Sequence, residues 1–172
     1  ALLACVAACA CAAGDVHAPD RAFFKFAPVV SVHQLYTALN NPGMFCRITF
    51  GTSTISFTAP DGSSTPVQRT ATEAYGRPEY VAGFVAGTPS VPDLQMNFVP
   101  MAFDLACPTC FHGSPSKNHR LRFTGAGKEQ VNCSFCGETF DLTQNGAGDQ
   151  GNRLLRYPLT YSGATNAVFV RN

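Results

Sequence analysis

Two cysteine pairs, "CPTC" at 107–110 and "CSFC" at 133–136, restrict this chain more than any other feature, because four thiols so spaced ask for one shared site. Cys107, Cys110, Cys133 and Cys136 match the pattern of a tetrahedral four-thiolate zinc site, in which each C-x2-C pair makes a tight turn and the turns close on one ion. Residues 111 to 132 separate the pairs, close to the spacing of such ribbons. Within that stretch "RLRF" at 120–123 and "EQVNC" at 129–133 flank "TGAGK", which predicts a β-hairpin with a glycine loop. Such a hairpin carries the chain out and back and returns the second turn beside the first. Gly137 directly follows the second pair and allows a tight turn in which its amide approaches a thiolate; Phe111 and His112 follow the first pair. Four thiolates on Zn2+ leave about two negative charges for amides or cations to offset. Arg120, Arg122 and Lys128 are near in sequence. With four cysteines the coordination shell is full, so His112 and His119 are read as surface residues, while His17 and His33 fit no ligand pattern.

Other uses of the thiols are distinguishable. Four cysteines also suit one iron or a [2Fe-2S] cluster, and outside the cytoplasm the pairs can form disulfides. A redox dithiol of the thioredoxin type is expected near a β-α-β pattern, which the sequence lacks. Nothing else in the chain demands redox chemistry, so zinc is the expected ion.

The first residues, "ALLACVAACACAAGD", are small and apolar with no charge before Asp15, and read as the tail of a secretory signal over residues 1–14. "LLAC" and "VAAC" resemble bacterial lipoprotein processing sites, in which the cysteine becomes the lipidated first residue. Cys9 is the expected site and Cys5 the alternative, because the apolar run continues past Cys5. An ordinary cleaved signal that contains cysteine is the other reading. The run is too short to span a bilayer as a helix, which takes about 20 apolar residues. Residues 15–29 mix proline, charge and aromatics and read as a tether or lead-in, with one domain over 30–172 and a metal-loop subdomain at about 105–142.

Fifteen glycines and twelve prolines, with many Thr, Ser, Val and Phe, favour short strands over helices. A short apolar period around Leu35 and Leu39 precedes the turn signal "NNPG" at 40–43. Met44 to Phe50 reads as a strand with Met44, Cys46, Ile48 and Phe50 on its apolar face, which makes Cys46 a core thiol. Further strands are predicted at 54–59, 80–87, 94–105 and on both sides of "SGATN" at 162–166, with Pro100 breaking one or placing it at an edge. The expected fold is all-β and antiparallel, a sandwich or barrel.

The stretch from "VNCSFCGETFDL" to the final "VFVRN" resembles the second half of a Rieske-type domain, and "MAFDLACPTC" is similar to the strand that enters its first ligand loop. The likeness covers residues 95–172 well and 30–95 loosely. By that resemblance Cys107 and Cys133 fall on cysteine ligands, Cys136 on a histidine ligand, and Thr109 on the other histidine, with Cys110 one place later. The implied domain is a Rieske-like sandwich or barrel with a zinc-ribbon-like loop subdomain, and without the two histidines the high potential of a Rieske centre is not implied. The lipoprotein-like start together with "AFDLACP" and "CGETFDL" is similar to envelope lipoproteins of Bacteroides-like bacteria.

A closed four-cysteine site has no open position for substrate, so it is not a sign of an enzyme. Glu73, Glu79, Asp104, Glu138 and Asp141 show no paired spacing for acid/base work; Asp104 and Asp141, each in an "FDL" triplet, read as strand-end residues that hydrogen-bond the metal loops. A net charge of +1 with 13% charged residues gives no footprint for nucleic acid. The sequence therefore points to a non-catalytic envelope protein on a lipid anchor at the outer membrane, periplasmic or surface-facing, in contact with other envelope proteins. The alternative is electron transfer on iron or an all-cysteine cluster.

Overall fold

The computed structural model describes residues 22–69, 82–110, 119–125 and 128–171. In chain order its strands are β1 (Phe23–Phe26), β2 (Met44–Phe50), β3 (Thr54–Thr58), β4 (Ser64–Gln68), β5 (Phe84–Thr88), β6 (Met101–Asp104), β7 (Arg122–Phe123), β8 (Gln130–Asn132), β9 (Thr139–Asp141), β10 (Ala147–Gly148), β11 (Arg156–Tyr157), β12 (Leu159–Ser162) and β13 (Ala167–Arg171). One helix, α1 (His33–Asn40), precedes β2. Every strand pair is antiparallel, and the fold is all-β in class.

The middle layer is a six-stranded sheet in the order β11-β6-β5-β2-β3-β4. It is open, with β11 and β4 at its edges among the described residues, so the sandwich alternative holds and the closed barrel does not. Alternation along the strands sends residues to two different cores. Cys46, Ile48 and Phe50 of β2, Phe84 and Ala86 of β5 and Ala102 of β6 join a core with α1, β1 and β13. Phe45, Val85 and Phe103, the residues between them, join a second core with Leu121, Val131, Cys133, Phe140 and Leu142 of the metal-loop region. The sheet thus has no solvent face along β5, all five of whose residues are buried. Gly87 permits this: a Cβ there would run into the carbonyl oxygen of Met44.

Aromatic packing dominates the first core. The ring of Phe84 meets those of Phe24, Phe50 and Tyr157 at 5.8, 5.8 and 5.4 Å, within the range of favourable edge and offset contacts. Helix α1 closes this core with Leu35, Ala38 and Leu39, spaced i, i+3, i+4 on one face. It stops at Asn41, which is extended (φ −122°, ψ 121°), as the residue before Pro42 should be.

Three sequence expectations change, and one strand was not predicted. The lead-in expected at 15–29 is already inside the fold by residue 23: β1 pairs with β13, and Phe24 is fully buried. Its alternating exposed and buried residues come from a four-residue strand too short to stand out in sequence. The strand expected at 94–105 is confined to Met101–Asp104. Before it, Asp93 accepts hydrogen bonds from the N–H groups of Gln95 and Asn97, and the chain turns through Met96 (φ 63°). β4 was hidden by Pro66, which an edge strand tolerates because one side of its backbone needs no partner. Phe45, expected on the polar face of β2, is buried because that face meets the second core.

Candidate metal centre

The second cysteine pair sits at the tip of a hairpin. β8 and β9 pair with Asn132 opposite Thr139, and the turn between them is closed by the N–H of Cys133 on the carbonyl of Glu138 (2.9 Å) and the N–H of Gly137 on the carbonyl of Cys133 (2.9 Å). Gly137 adopts φ 80°, a conformation that favours glycine. Its amide closes the turn, and the amides that reach the Cys133 sulfur are instead those of Cys136 and Phe135.

The first pair follows β6. Leu121 donates to the carbonyl of Leu105 (2.9 Å) and Cys107 to that of His119 (3.3 Å), so the chain entering the first turn runs beside the chain that leads into β7. The N–H of Cys110 turns back to the carbonyl of Cys107 (3.2 Å). β7 pairs with β8, Arg122 opposite Asn132, which is the hairpin connection expected to bring the two turns together. Residues 126–127 at its tip, and Phe111 and His112 after the first pair, lie outside the described residues, as do Cys5, Cys9, His17, Glu73 and Glu79.

The four sulfurs converge. All lie within 4.8 Å of one another, and among the described residues no other group of potential metal ligands gathers in this way. The contacts cross between the turns: Cys107 Sγ to Cys136 Sγ is 3.6 Å and Cys110 Sγ to Cys133 Sγ is 3.8 Å. Four thiolates at about 2.3 Å from one ion in a tetrahedron have sulfurs about 3.8 Å apart. The cluster can therefore hold a metal ion. No disulfide joins these cysteines or Cys46; a bond would need sulfurs about 2 Å apart.

Cys107 and Cys133 are buried, Cys110 and Cys136 half-buried. Burial pushes the Cys107 thiol up to about 11, against the pull of the Cys110 N–H, and raises Cys110 as well. Burial also opposes ionisation of Cys133, but the backbone N–H groups of Cys136 and Phe135, together with hydrogen bonds from the Cys107 and Cys136 thiols, lower that thiol. A metal ion entering the cluster must displace protons from the raised thiols, so its binding is coupled to pH. Cys46 is a separate core thiol, pushed up to about 12 by burial.

The nearby polar residues take unequal roles. His119 is half-buried and its ring lies 4.4 Å from that of Phe135, more enclosed than a surface reading implies. His33 opens α1, away from any ligand set. Arg120 and Arg122 act on Arg47, whose pKa is lowered first by burial and then by those two charges. Asp141 accepts from the N–H and hydroxyl of Thr143 and so serves the turn after β9. Asp104, in the matching triplet, is fully buried and accepts from Ala106 N–H (2.7 Å), the Tyr157 hydroxyl (2.8 Å) and Ala82 N–H (3.3 Å). It thereby fixes the residue just before Cys107.

Glu138, set aside in sequence as one of several scattered carboxylates, has a place at the site. It is fully buried, and its carboxylate accepts from the hydroxyl of Thr109 and from the amide of Asn152 (3.0 and 3.1 Å). Its signal was alternation: Glu138, Phe140 and Leu142 share the buried side of this strand, while Thr139 and Asp141 are half-buried. Comparison with protein-family models, curated proteins and solved structures returned no match for the chain.

Burial raises the pKa of Asp104 to about 6, opposed by hydrogen bonds from Ala106, Tyr157 and Ala82. The folded state therefore holds this proton more tightly than the unfolded chain, and the resulting stability is present below about pH 4 and lost as pH rises through about 6. Relative to Asp104→Asn, which keeps an acceptor and cannot ionise, the wild type should lose about 2 kcal/mol of unfolding free energy between about pH 4 and pH 7. Denaturant titrations of both proteins in one metal state check this; a constant gap across that range would show that Asp104 does not titrate there.

Proposed function

We propose that this chain is a lipid-anchored envelope protein in which four thiolates hold one zinc ion as a structural clamp, and which acts through contacts with other envelope proteins as a non-catalytic component. The observation that carries the clamp is the crossed pair of sulfur contacts, 3.6 and 3.8 Å, inside a cluster no wider than 4.8 Å. That spacing fits one tetrahedral ion. A two-iron cluster sets two irons and two sulfides between the thiolate pairs and needs them further apart.

Zinc suits the donor set, because four thiolates fill its tetrahedral shell and stabilise a fold outright. Cys107, Cys110, Cys133 and Cys136 would hold it, and the amide hydrogens aimed at Cys107 and Cys133 offset part of the charge. A filled shell offers no place for substrate, which supports a binding role over catalysis. Layered antiparallel sheets with two ligand loops side by side support the Rieske-like reading of the domain, which takes in β1 as well.

The envelope location rests on the lipoprotein-like "VAAC" ending at Cys9, with Cys5 as the alternative. No helix among the described residues is long and apolar enough to cross a membrane.

Purified without a metal-affinity tag, the protein is expected to be colourless with one zinc per chain by elemental analysis, and to lose it when Cys110 or Cys136 is changed to serine. Removing a group that merely orients a ligand costs about 10- to 100-fold in metal affinity, so loss of a ligand should cost more. Iron with a visible charge-transfer band would replace the clamp with electron transfer, and oxidised pairs without metal would overturn both. For the anchor, the chain expressed in a bacterial envelope should sediment with membranes, and Cys9→Ala should release it to the soluble fraction. Unchanged membrane association in Cys9→Ala and in Cys5→Ala would contradict lipidation.

A further inference from the structure

Glu138 is a buried carboxylate with a hydroxyl and an amide for partners, in the immediate neighbourhood of four thiols that would carry negative charge on a metal. An acid in that position is costly to bury unless hydrogen bonds satisfy it, and whatever supplies them is held in place in return. Its partners show what that is. Thr109 lies inside the first turn, between Cys107 and Cys110, and its hydroxyl donates to Glu138 Oε2. Asn152, on the chain after β10, donates to both carboxylate oxygens and lies 3.0 Å from the Thr109 hydroxyl. The backbone carbonyl of Glu138 meanwhile closes the second turn by accepting from Cys133 N–H. Gly148 leaves the carboxylate its space, since a Cβ there would run into Glu138 Oε1.

We infer that Glu138 is the positioning residue of the four-thiol site: through Thr109 it latches the first cysteine turn to the second, and the latch sets how tightly the site retains its ion. The inference rests on the reading that the thiols hold a metal. One residue grips both turns, its main chain holding the turn that carries Cys133 and Cys136 and its side chain holding the turn that carries Cys107 and Cys110. When the latch opens, the first turn loses its register with the second, and the crossed sulfur pairs separate.

The test uses the full chain loaded with Co2+, whose thiolate charge-transfer bands report the site directly, and follows transfer of the ion to EDTA. Thr109→Val, which removes the hydroxyl and keeps the shape, is expected to weaken retention about 10- to 100-fold, the range seen when a group orienting a metal ligand is removed. Thr109→Ser should restore retention to within about twofold, since the donor returns, and Glu138→Ala combined with Thr109→Val should be no worse than Glu138→Ala alone. A wild type that takes up no Co2+ would refute the metal reading itself. If the wild type binds Co2+ and Thr109→Val retains it as well, the site stands and the latch is overturned. Equal loss of stability by Thr109→Val in the metal-free and loaded forms would also overturn it, because an ordinary packing role affects both alike.

Discussion

The crossed approach of Cys107 to Cys136 and of Cys110 to Cys133 is the contact on which the account depends, and no local element makes it alone. One turn follows a strand of the six-stranded sheet and the other caps a hairpin of a separate four-stranded sheet. They meet because the chain returns through β7 and β8, and because Leu105, Leu121, Val131, Phe140 and Leu142 pack in one core beneath them. Burial of those side chains holds the two turns facing each other. An ion bound between them would then stabilise an arrangement that packing has already favoured.

This placement links the site to the whole molecule. The central sheet lends one face to a core with α1 and the terminal strands and the other to the core of the metal loops. A change in the cysteine turns reaches β6 through Asp104, which bonds Ala106 beside Cys107 and Tyr157 on β11. Such coupling suits a clamp: an ion held there would steady a region whose sheet is built from strands of two or three residues. A reactive centre would call for an open coordination position instead.

Much of the site was legible in sequence because spacing alone encodes it: two C-x2-C pairs, a glycine after the second and turn residues between. Glu138 and its partners were not, since Thr109, Glu138 and Asn152 are joined only by folding and each is an unremarkable polar residue in its own segment. The strand over Met44–Phe50 was legible from alternation, but alternation names one buried face, and a sheet buried on both faces hides the second set, Phe45 and Val85. β1 and β4 were missed for different reasons. Phe24 and Phe26 sit in a segment rich in proline and charge, and Pro66 argues against a strand unless the edge position is known.

Whether one ion sits among the four sulfurs is read by X-ray absorption at the metal edge of the purified protein. One ion on four thiolates gives a single shell of four sulfurs at about 2.3 Å with no second metal nearby. A metal–metal scattering path, or a shell containing nitrogen or oxygen in place of sulfur, would contradict it.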